Sequence, residues 1–346
     1  MGHVTRAPPA PLVARTGCGT YELDPDGTVI PFRRSWAPRW APRAVSHPGP
    51  GVWVAHPHGH LAVYRNGGLL WRSRIRVASD EVVVHGSSIA FGRYGRNELK
   101  GPTLWMARVG EYEFRVGDAE DPIGWTAGGL VTQHAQSIRV RGPDGTLYRT
   151  LALGRNAAYD ARDETVVFVR RDGVVVRTDG KHLWPLRRDV RRSAWIVVLA
   201  NRILQVTERD RTLYLRSNGS LLGTGTDPTG GVTGLPAQRG VAYVTNPPRQ
   251  RRGASVPGRN VVRLIDATGR VRQMYVRAAP RASCGEWASV SYGNGWILYT
   301  DSEGPAAVLD PTGRKPPLDL TPALRALQPR PLSRATLYAD WLTNWR

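Results

Sequence analysis

The stretch HLAVYRNGGLLWRSRI, residues 60–75, reads as a β-strand, a tight turn at Asn66-Gly67 and a second strand. Glycine at such a tip supplies the positive φ that tight hairpin turns require, and the flanking runs carry the residues that suit a pleated, half-buried surface. Met once, the pattern is a hairpin; met at regular intervals, it is the outer half of a repeated unit. The chain repeats it. Turns ending in glycine fall at Gly27, Gly67, Gly110, Gly145, Gly180, Gly219, Gly269 and Gly313, with spacings of 40, 43, 35, 35, 39, 50 and 44 residues. Before them stand runs such as TYEL, HLAVY, TLWMA, SIRVR, TLYLR and VVRLI, and after them runs such as LLWRS, YEFRV and TLYRT.

Upstream of each outer pair lie two more short strand candidates, clearest in IGWTAGGLVTQHA (123–135) and WASVSYGNGWILYTDS (287–302). Four short strands in about 40 residues is the blade of a β-propeller, in which each blade buries its faces against its neighbours. The first repeat has an outer pair, GTYELDPDGTVIPF (19–32), without an inner pair before it, and RATLYADWLTNWR (334–346) is an inner pair with nothing after it. Together they make one blade. The expectation is an all-β, single-domain propeller of eight four-stranded blades, seven if one turn belongs to an insertion. Its ring is closed by N-terminal outer strands pairing with C-terminal inner strands, which leaves no open sheet edge at the junction. Residues 1–17 are set apart as a flexible N-terminal segment, and 18–346 as the propeller.

These repeats resemble the β-propeller repeat superfamily, WD40-like in plan. LAVYRNGGLLWRS (61–73) and VVRLIDATGRVRQMY (261–275) resemble the pyrroloquinoline-quinone-type repeat with its D-x-x-T-G-x-x-x-W ending. Only Trp71 and Trp184 hold the expected tryptophan, so the resemblance implies architecture and not quinone binding. A fold shared by scaffolds, lyases, hydrolases and dehydrogenases implies no function on its own.

Composition narrows the partners. At 346 residues, 41% hydrophobic, with 12 Trp, 38 Gly and 27 Pro, the chain has the means for a large, turn-rich core. Its longest apolar run, WIVVLA (195–200), is strand length, well short of the about 20 residues of a membrane helix. The opening MGHVTRAPPAPLVARTGCG lacks the continuous apolar core of a signal peptide. A formal charge of +20 favours anionic partners. Of 48 basic residues only Lys100, Lys181 and Lys315 are lysines, a skew that fits a GC-rich coding bias better than a nucleic-acid surface. Protein or anionic glycan is therefore the expected partner of an expected monomer, with nucleic acid behind them.

In a propeller, the loops between second and third strands and the links between blades share one face. Three basic segments map there: NPPRQRRGASVPGRN (246–260) with Arg249, Arg251, Arg252 and Arg259; GRYGRNELKGP (92–102) with Arg93, Arg96 and Lys100; and LRRDVRRS (186–193) with Arg187, Arg188, Arg191 and Arg192. An aromatic recurs near the expected start of each innermost strand: Trp125, Tyr159, Trp195, Trp287 and Tyr338. Such rings either stack on sugars or bases beside the arginines or act as wedges between blades. The basic loops are either a binding face or a solvated rim.

Other chemistry is thinner. HPHGH places His56, His58 and His60 at alternate positions, which on a strand would aim three imidazoles to one side as weak metal candidates, while Pro57 and Gly59 favour a polar turn. Carboxylates group at Asp118, Glu120 and Asp121, at Asp160, Asp163 and Glu164, and at Asp301 and Glu303; they read as turn residues unless two groups meet in the channel. No phosphate loop, G-x-S-x-G elbow or C-x-x-C spacing appears, and no cofactor is expected. Cys18 and Cys284 fall on neighbouring blades and are a disulfide candidate, which would mark an extracytoplasmic protein; two separate thiols are the alternative. The expected function is a non-catalytic binding or scaffold propeller whose basic, aromatic-bearing face engages an anionic partner, an envelope glycan or protein. The alternative is a lyase or hydrolase working in the central channel, with a metal or with His85, Asp160 or Asp301.

Overall fold

The computed structural model describes residues 2–3, 7–16, 19–31, 46–49, 52–55, 60–65, 68–77, 82–93, 101–209, 211–225, 231–245, 249–251, 254–256, 259–278, 288–301, 306–326 and 338–341. Within them one antiparallel meander recurs. Ser46–Gly49, Val52–Ala55, His60–Arg65 and Gly68–Arg76 form a four-stranded sheet in chain order, so the opening hairpin is its third and fourth strands. The same order repeats in the sheets that begin at Val82–His85, Trp195–Val198, Val232–Leu235 and Ala288–Gly293.

Between the second and third of these, a seven-stranded sheet is two meanders sharing one strand. Leu147–Asp160 pairs through Leu153 with Ser137–Arg141, and from Gly154 onward with Thr165–Arg170. The changeover is marked by Asn156 at φ 55° and a register shift between Arg155 and Ala158. An asparagine tolerates that left-handed conformation better than most residues, which lets one strand leave one sheet and enter the next.

The two chain ends meet in one sheet. Tyr338–Trp341 pairs with Leu12–Thr16, followed by Gly19–Leu23, Thr28–Pro31 and, at the edge, Gly2–His3. This differs from the expected division. The C-terminal side contributes one described strand, and Leu12–Thr16, assigned by the sequence to a flexible segment, is the second strand. Leu12, Val13 and Ala14 are fully buried, so this short apolar run between prolines and arginine is drawn in by burial. Trp341 is also fully buried, and its ring lies so close to Gly293 of the neighbouring sheet that a Cβ there would come within 2.5 Å of it.

The expected turns hold their glycines where the physics requires them. Gly27, Gly110, Gly145, Gly180, Gly219, Gly269 and Gly313 all connect third to fourth strands with φ between 75° and 88°, while Gly67 lies outside the described residues. An Asp or Asn accepts a backbone N–H two residues on in the same turns, as from Thr146 to Asp144, Ser220 to Asn218 and Thr312 to Asp310.

Apolar clusters fill the joints between successive sheets. Trp71, Ile89 and Phe91 join the first two; Leu104, Met106, Trp125 and Leu130 the next pair; and Leu298, Leu320 and Trp341 the last. First strands of several neighbouring sheets touch one another, as Val82–His85 touches Glu120–Thr126 and Leu147–Asp160 touches Trp195–Val198. Because strands alternate in direction, the turns joining first to second and third to fourth strands lie at one end, here the turn end. The second-to-third loops and the connections between sheets lie at the other, the link end. Among the described residues the one helix, Thr321–Ala326, has six residues, and no helix is long and apolar enough to cross a membrane.

Candidate functional site

Strand direction assigns the basic segments to the link end. Arg93 closes a second strand, and exposed Arg259 opens a third. Arg188, Arg191 and Arg192 follow Leu183–Arg187 in the connection to Trp195–Val198. Arg249 and Arg251 lie in a two-stranded ribbon, Arg249–Arg251 with Ala254–Val256, inserted between second and third strands of its sheet. Arg96, Lys100 and Arg252 lie outside the described residues.

A cleft of about 230 Å³ opens at this end, lined by Gln136, Gly154, Val169 and four arginines, Arg155, Arg170, Arg171 and Arg192. Three segments far apart in sequence build it: the changeover at Gly154, the second-to-third turn after Thr165–Arg170, and the connection carrying Arg192. Hydrogen bonds tie them together. Arg155 Nε donates to the Arg192 carbonyl at 2.7 Å, Asn156 Nδ2 to the Ala194 carbonyl at 2.6 Å, and the Arg171 N–H to the Leu153 carbonyl at 2.9 Å. From below, the Glu208 carboxylate accepts the Arg191 N–H at 2.7 Å; although burial would raise its pKa, the hydrogen bonds from Arg211 and from the Arg191 backbone outweigh that and hold it below the usual range. The connection bearing Arg192 is thus fixed from both sides.

The four guanidinium groups are not equivalent. Arg170 is committed to Asp172, whose carboxyl it holds down to about 2 through their hydrogen bonds. Arg155, Arg171 and Arg192 have no carboxylate partner among the described residues. The cleft therefore presents unmatched positive charge, and guanidinium forks suit carboxylate, sulfate and phosphate oxygens.

The aromatic residues separate by position. Trp195 opens its strand at the link end, three residues after Arg192, and is 67% exposed. Val197, two residues on and therefore on the same side of the strand, is also exposed. Trp125 and Tyr159 depart from the expected placement. Their strands begin at Glu120 and, for the inner part, at Gly154, so both rings sit near the strand ends, at the turn end. There Trp125 is 5% exposed, stacked on His85 at 5.9 Å, and Tyr159 donates its hydroxyl to the Trp125 carbonyl at 2.7 Å. Burial, with the nearby charges of Glu164 and Asp160, pushes the Tyr159 phenol up to about 12, so it stays a neutral donor. Both are wedges between sheets. Tyr338 opens its strand at the link end, and Trp287 lies outside the described residues.

The carboxylates also separate. Glu120, expected in a turn, is fully buried and accepts from Arg141 Nε and Nη2 at 2.7 Å each. Asp118 is exposed and paired with Arg115. Asp160 faces Arg177 and Arg202 at 3.9 Å, and Asp163 pairs with the same two arginines. His85 Nδ1 and Glu164 stand 4.0 Å apart at the turn end, whereas buried Asp301 accepts the Tyr299 hydroxyl at 3.0 Å at the end of a second strand, the link end. The structure therefore does not bring His85, Asp160 and Asp301 together. Among the described residues no three His, Cys, Asp or Glu are grouped to hold a metal. His60 Nδ1 lies 3.1 Å from the Ser73 carbonyl, while His56, His58, Glu303, Cys18 and Cys284 lie outside the described residues.

No protein-family model matches the chain, and no curated protein matches it. Among solved structures it is similar to the computationally designed Ika8 protein, with 13% identity over 90% of this chain and 98% of that one and a TM-score of 0.52. It is also similar to the propeller protein AztD from Citrobacter koseri, with 11% identity over 89% of this chain and 93% of that one and a TM-score of 0.54. The chain is a β-propeller.

Similarity at this level establishes the fold, and the function must come from the site. The propeller's sheets are its blades, and the arginine cleft lies where three consecutive blades meet at the link end. Of the two tryptophans behind the quinone-type resemblance, Trp71 is buried and donates to the Glu111 carbonyl of the next blade, whereas Trp184 is 43% exposed beside His182. Both stand on the fourth strand of their blade but in different surroundings, one buried against the next blade and one open.

Proposed function

We propose that this protein is a non-catalytic binding module, a single propeller domain whose link end takes up an anionic partner, glycan or protein, of the cell envelope. Eight meanders, counted with the one closed by Leu12–Thr16 and Tyr338–Trp341, are read as eight blades in one ring. The observation that carries the reading is the cleft in which Arg155, Arg171 and Arg192 converge without carboxylate partners among the described residues. The other basic segments at the same end, with Arg93, Arg249, Arg251 and Arg259, widen that footprint, and a formal charge of +20 adds long-range attraction. Ion pairing at exposed arginines is screened by salt, so binding of an acidic probe should weaken steeply as ionic strength rises. Replacing Arg155, Arg171 and Arg192 together by Ala should weaken binding by about tenfold or more, and replacing Arg249, Arg251 and Arg252 together should also weaken it. The check is calorimetry with oligoglutamate and an acidic oligosaccharide at low and physiological salt. Binding indifferent to salt and to both triple replacements defeats the proposal.

A further inference from the structure

The link end carries an apolar element that charge alone does not explain. Trp195 is two-thirds exposed where its strand begins at the link end, with exposed Val197 on the same side of its strand, and Leu153, beside the cleft-lining Gly154, is also exposed. An indole this open is not held by blade packing, unlike Trp125 at the other end. Nor is it loose in its backbone. The residues before it are clamped: Arg155 and Asn156 bind the carbonyls of Arg192, Ser193 and Ala194, the Ala194 N–H returns to the Arg191 carbonyl at 2.9 Å, and Glu208 holds the Arg191 N–H. The fold thus presents a flat apolar ring and a guanidinium group from one preorganised connection.

The dimensions limit what enters. At about 230 Å³ the cleft is smaller than the about 300 Å³ where pockets for drug-sized ligands begin, so it takes one charged group or one ring of a longer ligand. A carbohydrate bearing carboxylate, sulfate or phosphate has both required parts: an apolar C–H face for the indole and oxyanions for the arginines. An acidic peptide supplies only the second at each carboxylate.

We propose that Trp195, Arg192 and Arg155 form a subsite for one residue of an anionic carbohydrate, its ring on Trp195 and its charged group in the arginine cleft. This inference rests on the anionic-partner reading and narrows it. The test uses the full chain at low salt with three probes of matched charge: oligogalacturonate or a sulfated oligosaccharide, oligoglutamate, and single-stranded DNA. The acidic sugars should bind best. Trp195→Ala should weaken their binding by about tenfold with the salt slope unchanged, and Trp195→Phe should retain most of it. Arg155→Ala and Arg192→Ala should lower the salt slope. Because Trp195 is exposed, its replacement should leave the melting temperature in place, which separates a binding loss from unfolding. Equal binding of sugars and oligoglutamate, with no dependence on Trp195, overturns the carbohydrate subsite and leaves the anionic reading standing. DNA binding tighter than the sugars, and lost in Trp195→Ala, overturns it in favour of base stacking. If no probe binds at low salt, both fail.

Discussion

Glu120 shows how a single side chain can be misplaced by its neighbours in sequence. Standing in DAEDP, it has the company of turn residues, yet it is fully buried between blades with Arg141, Arg139 and Thr132 around it. Burial would raise its pKa, but the hydrogen bonds from Arg141 and Thr132 outweigh that and hold it below the usual range. Glu120→Ala should cost roughly 3–5 kcal/mol in urea unfolding, because it leaves Arg141 buried without its counter-charge. The sign with pH follows from the lowered pKa. The stabilisation is fully present above the unfolded value of about 4.3 and is lost as pH falls through the folded value, so acid should unfold the wild type while narrowing its advantage over Glu120→Ala. An advantage that stays constant below pH 4, or grows, would contradict the pairing.

The closing blade makes the corresponding case for whole strands. Nothing in APPAPLVART (7–16) announces a strand, because its short apolar run is hemmed between prolines and an arginine and turn chemistry is missing. Its partner, Tyr338–Trp341, is just as short. Each becomes ordered by what it meets: Leu12 and Ala14 pack with Trp341, Leu298 and Leu320, and Trp341 needs the bare backbone of Gly293 beneath its ring. Gly293→Ala places a methyl where the indole is and should lower stability by about 1–3 kcal/mol. Thermal denaturation should show the loss, and a second substitution, Trp341→Phe, should recover part of it if the clash is the cause. The third-to-fourth-strand turns are the opposite situation. Gly145 or Gly219 can be identified from four or five adjacent letters, since the positive φ and the side-chain hydrogen bond that define the turn are made locally.

For the propeller as a body, charge acts in two directions. A formal +20 repels itself within the folded form and attracts anions from without. Both effects are screened by the same salt, with a Debye length of about 8 Å at physiological ionic strength. Raising sodium chloride from low to moderate concentration should therefore raise the melting temperature of the free protein while weakening its hold on an acidic ligand. A melting temperature that falls over that range would mean that specific ion pairs such as Arg177 and Arg202 with Asp160 and Asp163 outweigh the general repulsion.

The repeat, the turn positions and the all-β character were readable from letters alone, because alternation along a strand and a glycine at positive φ depend on a few neighbouring residues. The candidate site was half readable. The placement of Arg192 and Trp195 at one end followed from counting strands, but Trp125 and Tyr159 went to the opposite end because their strands start earlier than their apolar pattern does, at Glu120 and Gly154. Arg155, Arg170 and Arg171 carry no local sign of belonging with Arg192. They meet only when one strand crosses from one blade to the next and neighbouring blades stack, since which loops become adjacent is set by contacts between residues far apart in the chain.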